Sequence, residues 1–251
     1  MLPILLSIPH GGMRVPAELS QLVGISPKDL FDDGDAFTLD IFDLGDEVAC
    51  VVKTDIARAF VDLNRAPDDR PPRNPDGVVK TATCFKRPIY LPGREPDGDV
   101  TEILIDRYHA AYHAQLAHGA AQPGIKLALD CHSMLPAAPP ISDEPGLARP
   151  SFCLSNRDGA TAPSELLERL AAAIAEAFDI RADQIGLNDP FKGGYITQTH
   201  GAGELPWIQV ELNRSLYLVE PWFDRATRNI DPLRISELRE RFGTALHRLR
   251  L

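Results

Sequence analysis

Six short, nearly continuous apolar runs constrain the fold of this chain more than any other feature of its sequence. They are Ile4–Ile8, Val48–Lys53, Ala59–Leu63, Ile125–Asp130, Ser151–Ser155 and Trp207–Leu212. Runs of this length without polar alternation are typical of strands that are covered on both faces. Segments with helical spacing of apolar residues alternate with them, at about Phe37–Leu44, Val100–His118, Ser164–Phe178 and Ile235–Leu249. This order predicts an α/β fold, a single domain whose mixed, mostly parallel sheet is flanked by helices.

The composition fits one domain over residues 1–251 and excludes several classes of protein. The charged residues, 26 basic and 36 acidic, give a net charge of −10, which argues against non-specific binding to nucleic acid or to an anionic membrane. No apolar run approaches the roughly 18–20 residues of a membrane span. The N-terminal residues lack a basic segment and a cleavage site, so they predict a core strand and not a signal peptide.

The four cysteines predict a reducing environment. Cys50, Cys131 and Cys153 lie inside apolar runs, and no pair of cysteines has the CxxC spacing of a metal or redox site. We therefore expect reduced, mostly buried thiols in a cytoplasmic protein.

Two segments are loops by composition. Ala66–Gly77 is rich in Pro, Asp, Arg and Asn, and Leu135–Pro150 contains five prolines. Both follow predicted strands, and ligands of open α/β sheets collect where loops leave the carboxyl ends of strands. We expect these loops to form walls or lids of a site.

Two histidines follow predicted strands, and they are candidate metal ligands. His10 ends the first run, before two glycines, and His132 ends the fourth, two residues after Asp130. Neutral imidazoles bind Zn²⁺, and a catalytic zinc site takes three protein ligands and leaves one position open. Asp130 could orient the imidazole of His132 from behind. The third ligand is expected from the segment around residues 33–35, which we place at the start of a helix, with Asp35 ahead of Asp33.

Candidate acid–base and substrate-binding residues lie near two other runs. Strand alternation puts Gln209, Glu211 and Asn213 on one face, and a glutamate within an apolar run is costly unless it is paired or functional. Glu211 is therefore a candidate general base. Asn64 and Arg65 follow the third run and could clamp a carboxylate, although an ion pair with a protein acid is the ordinary alternative.

The sequence gives weaker evidence for the roles of the remaining polar residues. Arg87 is a second basic candidate, and Pro190–Gly201 predicts a flexible polar loop that lacks the phosphate-binding GxxxxGK[ST] pattern. Of the histidines on helical segments, His113 is expected to turn inward. The others, His109, His118 and His247, are expected to be solvated.

Taken in order, these segments resemble the N-formylglutamate amidohydrolase (N-formylglutamate deformylase) family. The matching blocks are Ser-Ile-Pro-His-Gly-Gly (7–12), Asp-Gly-Asp (33–35), Asp-Leu-Asn-Arg (62–65), Tyr-His (112–113), Asp-Cys-His-Ser (130–133), Phe-Lys-Gly-Gly-Tyr-Ile-Thr (191–197) and Gln-Val-Glu-Leu (209–212). Each block alone is weak, but the ordered set is specific. The family is similar to zinc carboxypeptidases and aspartoacylase-like deacylases, with a phosphorylase/hydrolase-type core.

The resemblance implies a zinc-dependent hydrolase that acts on the amide of a small anionic N-acyl amino acid, above all N-formyl-L-glutamate. It assigns one zinc ion to His10, Asp35 and His132, and the role of base to Glu211. The chain lacks the HxxE pattern of the relatives, which leaves the acidic ligand open between Asp35 and Asp33. Arg65 and Asn64 would hold one substrate carboxylate, and Arg87, Lys192 or Arg214 the second one or the oxyanion. The family's usual setting is histidine degradation. Another metallohydrolase of this clan and a non-catalytic binding protein are the alternatives.

Overall fold

The computed structural model describes all 251 residues, and one six-stranded sheet organises them. The strands are β1 (Leu2–Ile8), β2 (Val48–Lys53), β3 (Leu127–Met134), β4 (Phe152–Ser155), β5 (Ile185–Leu187) and β6 (Trp207–Asn213), followed by the two short strands β7 (Phe223–Asp224) and β8 (Asn229–Ile230). The helices are α1 (Pro27–Asp33), α2 (Thr38–Phe42), α3 (Gly98–Leu104), α4 (Ala111–Ala120), α5 (Ser164–Phe178), α6 (Tyr195–His200) and α7 (Pro232–Arg248). A π-helical turn, Ile105–Ala110, joins α3 to α4.

The sheet order is β2-β1-β3-β6-β4-β5. Every neighbouring pair is parallel except β4 and β6, which run antiparallel. The predicted fold class, an α/β domain with a mixed, mostly parallel sheet, is therefore confirmed. Strands β1, β3 and β6 are adjacent at the centre, so their carboxyl ends meet at one edge.

Two apolar layers cover the sheet, which explains why its strands read as continuous apolar runs. Along β1, Ile4, Leu6 and Ile8 pack into one layer and Leu5 into the other. Strands β3 and β4 are buried throughout their lengths. Each large apolar side chain buried in this way contributes about 1.5–3 kcal/mol to folding.

The longest helices close the first apolar layer. Helix α5 buries an amphipathic stripe, and α7 packs against it. Helix α7 begins at Pro232, whose missing N–H costs nothing at this position, and the side chain of Asp231 accepts a hydrogen bond from the N–H of Leu233 at 2.9 Å. No helix is both long and apolar enough to cross a membrane. The four cysteines are free thiols, and Cys131 and Cys153 are buried.

The prediction of a strand at Ala59–Leu63 is wrong. These residues form turns, and they are apolar because they pack into the second layer, beneath the loop that follows. The single helix predicted at Val100–His118 is interrupted by the π-helical turn. The predicted loop at Pro190–Gly201 contains the short helix α6.

Candidate active site

The candidate site lies where the central strands end. His10 follows β1 by two residues, and His132 and Glu211 lie directly opposite each other on β3 and β6. The chain turns after His10 so closely that a Cβ on Gly12 would stand 2.2 Å from the backbone of Asp55. Glycine is therefore required at this turn, which keeps the buried imidazole of His10 at the sheet edge.

His10, Asp35 and His132 converge on one point. The Nδ1 atoms of the two histidines are 3.2 Å apart. The Asp35 Oδ2 atom lies 3.5 Å from the Nδ1 atom of His10 and 3.2 Å from that of His132. All three side chains are almost completely buried.

Asp35 reaches this point from the turn between α1 and α2, so the prediction that residues 33–35 start a helix is wrong. Asp33 is instead the last residue of α1. The Asp35 carboxylate accepts a hydrogen bond from Arg214 Nη2 at 2.9 Å and from the Ser133 N–H at 3.3 Å. Burial would raise its pKa, but the two imidazoles when protonated, together with the charge of Arg214, hold that pKa well below its usual value.

Asp33 lies apart from the histidines. Its carboxylate accepts hydrogen bonds from the buried Lys80 ammonium at 3.2 Å and from the Cys84 N–H at 2.9 Å. Asp33 therefore belongs to a neighbouring group of buried charges. The structure brings Asp35, and not Asp33, to the convergence point of the two imidazoles.

A carboxylate backs each imidazole. Asp62 Oδ1 lies 2.9 Å from His10 Nε2, and Asp130 Oδ2 lies 3.0 Å from His132 Nε2. A ring nitrogen that donates to a carboxylate leaves the Nδ1 lone pair facing the convergence point. Asp130 has the position predicted for it, and Asp62 is an addition. The sequence signal for Asp62 is its place in the Asp-Leu-Asn-Arg block, at the end of the predicted strand Ala59–Leu63.

Glu211 is buried beside the histidines, and no ion pair neutralises it. Its Oε1 atom accepts a hydrogen bond from Gln209 at 2.9 Å, which agrees with the predicted alternation along β6. Burial raises the pKa of Glu211 to about 7, although the charge of His132 acts in the opposite direction. A carboxyl group with such a pKa can exchange a proton near neutral pH.

These groups open into a cavity of about 650 Å³. The predicted wall Leu135–Pro150 lines it, as do the predicted binding residues Asn64, Arg65, Lys192 and Arg214. Arg87 is exposed and does not line the cavity, so that prediction is wrong: its side chain leaves a turn that faces solvent. Sequence reasoning missed two further cavity arginines, Arg58 and Arg149, because neither belongs to a polar cluster at a strand end.

Most of the cavity cations already have partners. Arg65 pairs with Asp76 at 2.9 Å, and Arg58 pairs with Asp62 at 3.0 Å. Arg214 donates to Asp35, Ser133 and the Asp32 carbonyl, so its guanidinium holds the site and has little capacity left for a ligand. Asn64 places its amide nitrogen 3.3 Å from His132 Nε2 and accepts a hydrogen bond from the Ile196 N–H at 2.8 Å.

Comparison with known proteins identifies the family. A sequence model of the N-formylglutamate amidohydrolase family matches residues 2–218. The chain belongs to this family. N-formylglutamate deformylases of Pseudomonas putida and Pseudomonas aeruginosa are 30% and 31% identical to it, and each match covers 87% of this chain and 83% of the relative.

Solved structures show the same fold. The N-formylglutamate amidohydrolase of Ralstonia eutropha JMP134 superposes with a TM-score of 0.80 at 23% identity, covering 98% of this chain and 91% of the other. A protein of Agrobacterium tumefaciens superposes with a TM-score of 0.67 at 17% identity, covering 98% and 90%. The family match ends at residue 218, so the assignment of all 251 residues to one amidohydrolase domain stays a prediction.

Stacked histidines support the loop that carries Asp62 and Asn64. His113 Nε2 donates to the Leu63 carbonyl and His109 Nε2 to the Arg65 carbonyl, each at 2.9 Å. His113 Nδ1 accepts a hydrogen bond from His200 Nε2 at 2.9 Å. The inward orientation of His113 agrees with prediction, but His109 is buried and not solvated, because its ring stacks on that of His113.

We expect this histidine stack to make the free energy of unfolding sensitive to acid. Burial, reinforced by the nearby His109, lowers the pKa of His113 to about 4. Because an unfolded histidine titrates near 6.5, the unfolded state binds more protons between these values, and stability must fall as the pH drops through this window. The unfolding free energy of the wild type should fall between pH 6.5 and pH 4, and in His113→Gln this fall should be smaller by about 2–3 kcal/mol. Urea denaturation at the two pH values measures it.

The exposed His118 lies on the same helix and gives a matched control. His118→Gln should leave the pH profile unchanged. Parallel profiles for wild type and His113→Gln would show that His113 does not titrate differently on folding.

Proposed function

We propose that this protein hydrolyses the amide of N-formyl-L-glutamate to formate and L-glutamate, with a divalent metal ion, Zn²⁺, at His10, Asp35 and His132. The names of the curated relatives support the substrate. The observation that carries the mechanism is the convergence of these three side chains beside the buried Glu211 in a cavity lined by cations. The cytoplasmic location and the role in histidine degradation that the family resemblance implies stay predictions.

The donor geometry fits a tetrahedral ion. Ligand atoms at about 2.0–2.1 Å from tetrahedral zinc stand about 3.3 Å apart. The three donor atoms here are separated by 3.2, 3.2 and 3.5 Å. Two imidazole nitrogens and one carboxylate oxygen also form a donor set that zinc accepts, and the carboxylates behind the rings favour the metal-binding tautomer. Such an ion would polarise the formyl carbonyl and lower the pKa of a water molecule from about 15.7 towards about 7.

The side chain of Glu211 carries out the proton transfer. Glu211 stands next to His132 across the β3–β6 pair and accepts the proton of the attacking water. It then delivers that proton to the amide nitrogen as the C–N bond breaks, so formate and the free amine leave. Gln209 fixes the Glu211 carboxylate through one oxygen. The other oxygen is left for the proton transfer.

The substrate's α-carboxylate is assigned to Arg65 and Asn64. Arg65 is 37% exposed and uses one terminal nitrogen for Asp76, so other N–H groups of its guanidinium can bind a carboxylate. Arg214 is assigned a positioning role, since its donors hold Asp35 and Ser133. Lys192, which pairs with Asp158 at the surface, would contribute long-range attraction for an anionic substrate.

Formate release from N-formyl-L-glutamate by the purified protein tests the proposal. We expect activity that a chelator abolishes and zinc restores. A zinc-loaded protein without this activity would contradict the substrate assignment and redirect the search to other N-acyl amino acids and short peptides. A protein with neither metal nor activity would support a binding function.

Asp130→Asn tests how the metal site is held. An asparagine keeps the size of the side chain but no longer fixes the tautomer of His132, and loss of such a partner typically lowers metal affinity by about 10–100-fold. We expect this decrease in competition titrations with a zinc indicator. Asp55→Asn, at an exposed ion pair, is the control. Equal zinc affinities for the two variants would remove Asp130 from the site.

A further inference from the structure

Arg149 differs from every other cation that lines the cavity. Arg58, Arg65 and Arg214 each pair with a buried carboxylate, and Lys192 pairs with Asp158. Arg149 forms no ion pair, and its Nε atom is buried without any hydrogen-bond partner. Its guanidinium lies over the ring of Phe191, 4.8 Å from the ring centroid.

The backbone of Arg149 is fixed next to the proposed base. The Asn213 side chain donates to the Arg149 carbonyl at 3.1 Å and to the Pro150 carbonyl at 2.8 Å. Asn213 follows Glu211 by two residues on β6, so both side chains leave the same face of the strand. The Arg149 N–H also donates to the Pro136 carbonyl at 3.0 Å. These contacts use only the main chain of Arg149, so its position does not depend on its side chain.

A half-buried guanidinium without a carboxylate partner is unfavourable for the protein alone. Burial lowers the pKa of Arg149, against the attraction of Glu211, but a guanidinium does not lose its proton in proteins. The missing interaction is one that an anionic ligand can supply. A planar carboxylate matches the two-pronged donor geometry of arginine, and the apolar Phe191 face orients the guanidinium.

We propose that Arg149 binds the second, side-chain carboxylate of the substrate and so makes the enzyme selective for dicarboxylic over monocarboxylic N-formyl amino acids, an inference that rests on the proposed function. Arg65 and Asn64 come from the loop after Leu63, whereas Arg149 comes from the end of the Leu135–Pro150 loop. Two separate cavity segments thus hold the two carboxylates. This assignment replaces Arg87, which lies outside the cavity, and Arg214, whose donors are engaged.

The test compares N-formyl-L-glutamate with N-formyl-L-glutamine, which has the same shape and lacks the second charge. In Arg149→Met we expect kcat/KM for the glutamate substrate to fall about 10–100-fold, the scale of lost hydrogen bonds to a charged group. The value for the glutamine substrate should change less than about threefold. The kcat/KM of Arg149→Lys for N-formyl-L-glutamate should lie between those of wild type and Arg149→Met, because lysine keeps the charge but loses the two-pronged geometry.

Arg94→Met, an exposed arginine outside the cavity, is the matched control and should leave both values unchanged. Arg149→Gln, which keeps polar atoms, replaces the methionine variant if that variant fails to fold. An equal fall for both substrates, or no change for either, would overturn the assignment, because neither result distinguishes the second carboxylate.

A binding measurement separates this inference from the proposed reaction. Calorimetry of L-glutamate and L-glutamine compares the same pair of side chains without turnover. Tighter binding of L-glutamate by wild type, lost in Arg149→Met, would support the assignment even if no N-formyl substrate were hydrolysed. Equal affinities of wild type for the two amino acids would contradict it, whereas hydrolysis of N-formyl-L-glutamate would still support the proposed function.

Discussion

Glu211→Gln is expected to bind zinc as the wild type does and to lose at least about a hundredfold in kcat, the scale of a missing general base. The amide has the shape of the carboxylate, and Gln209 can still donate to its oxygen. It cannot take a proton from water at neutral pH. The measurements are kcat for formate release and the zinc content of the purified variant.

The separation of metal content from turnover is what makes this variant informative. Glu211 lies outside the His10, Asp35 and His132 cluster, so a change in its charge should leave the donor atoms in place. Glu204→Gln, at an exposed position on the segment before β6, controls for the loss of one negative charge. Turnover of Glu211→Gln within a few fold of this control would exclude Glu211 as the base. Loss of zinc from Glu211→Gln would instead make it part of the metal site.

The sequence could predict the sheet and the strand-end residues because both depend on local patterns. The apolar runs of β1, β3 and β6 are read directly from residue order, and His10, His132 and Glu211 stand at or near their ends. The carboxyl ends of parallel strands lie at the same edge of a sheet. The histidines and the glutamate are therefore neighbours wherever these strands are adjacent. Short elements such as β5 and α6 carry too few residues for a pattern.

The remaining features depend on contacts between distant segments. The choice of Asp35 over Asp33 follows from Lys80, 47 residues after Asp33, which binds Asp33 and keeps it from the histidines. The run Ala59–Leu63 shows the same limit, because burial beneath a loop produces the apolar composition of a strand without strand geometry. The significance of Arg149 depends on which cavity cations have partners, and pairing cannot be read from sequence spacing.

Lys80→Met is expected to destabilise the protein by about 3–5 kcal/mol, the effect of removing one partner from buried ion pairs. The ammonium is fully buried, 2.7 Å from Asp76, 3.2 Å from Asp33 and 3.8 Å from Asp62. Burial and the charge of Arg58 oppose its ionisation, but these carboxylates outweigh them and raise the pKa of Lys80. Methionine fills similar space but leaves Asp33 without a cationic partner, and Asp62 and Asp76 keep only their arginine partners. Urea denaturation at pH 7 measures the change in unfolding free energy.

Lys28→Met is the matched control, because Lys28 forms a surface ion pair with Asp32 on α1. This variant should lose less than about 1 kcal/mol of unfolding free energy. The same variant of Lys80 should also weaken zinc binding, because Asp62 contacts both the ammonium and His10 Nε2. A stability loss without a change in zinc affinity would mean that Arg58 alone keeps Asp62 aligned. Stability within about 1 kcal/mol of wild type would show that the buried carboxylates take up protons or water when the ammonium is gone, and that Lys80 does not stabilise this region.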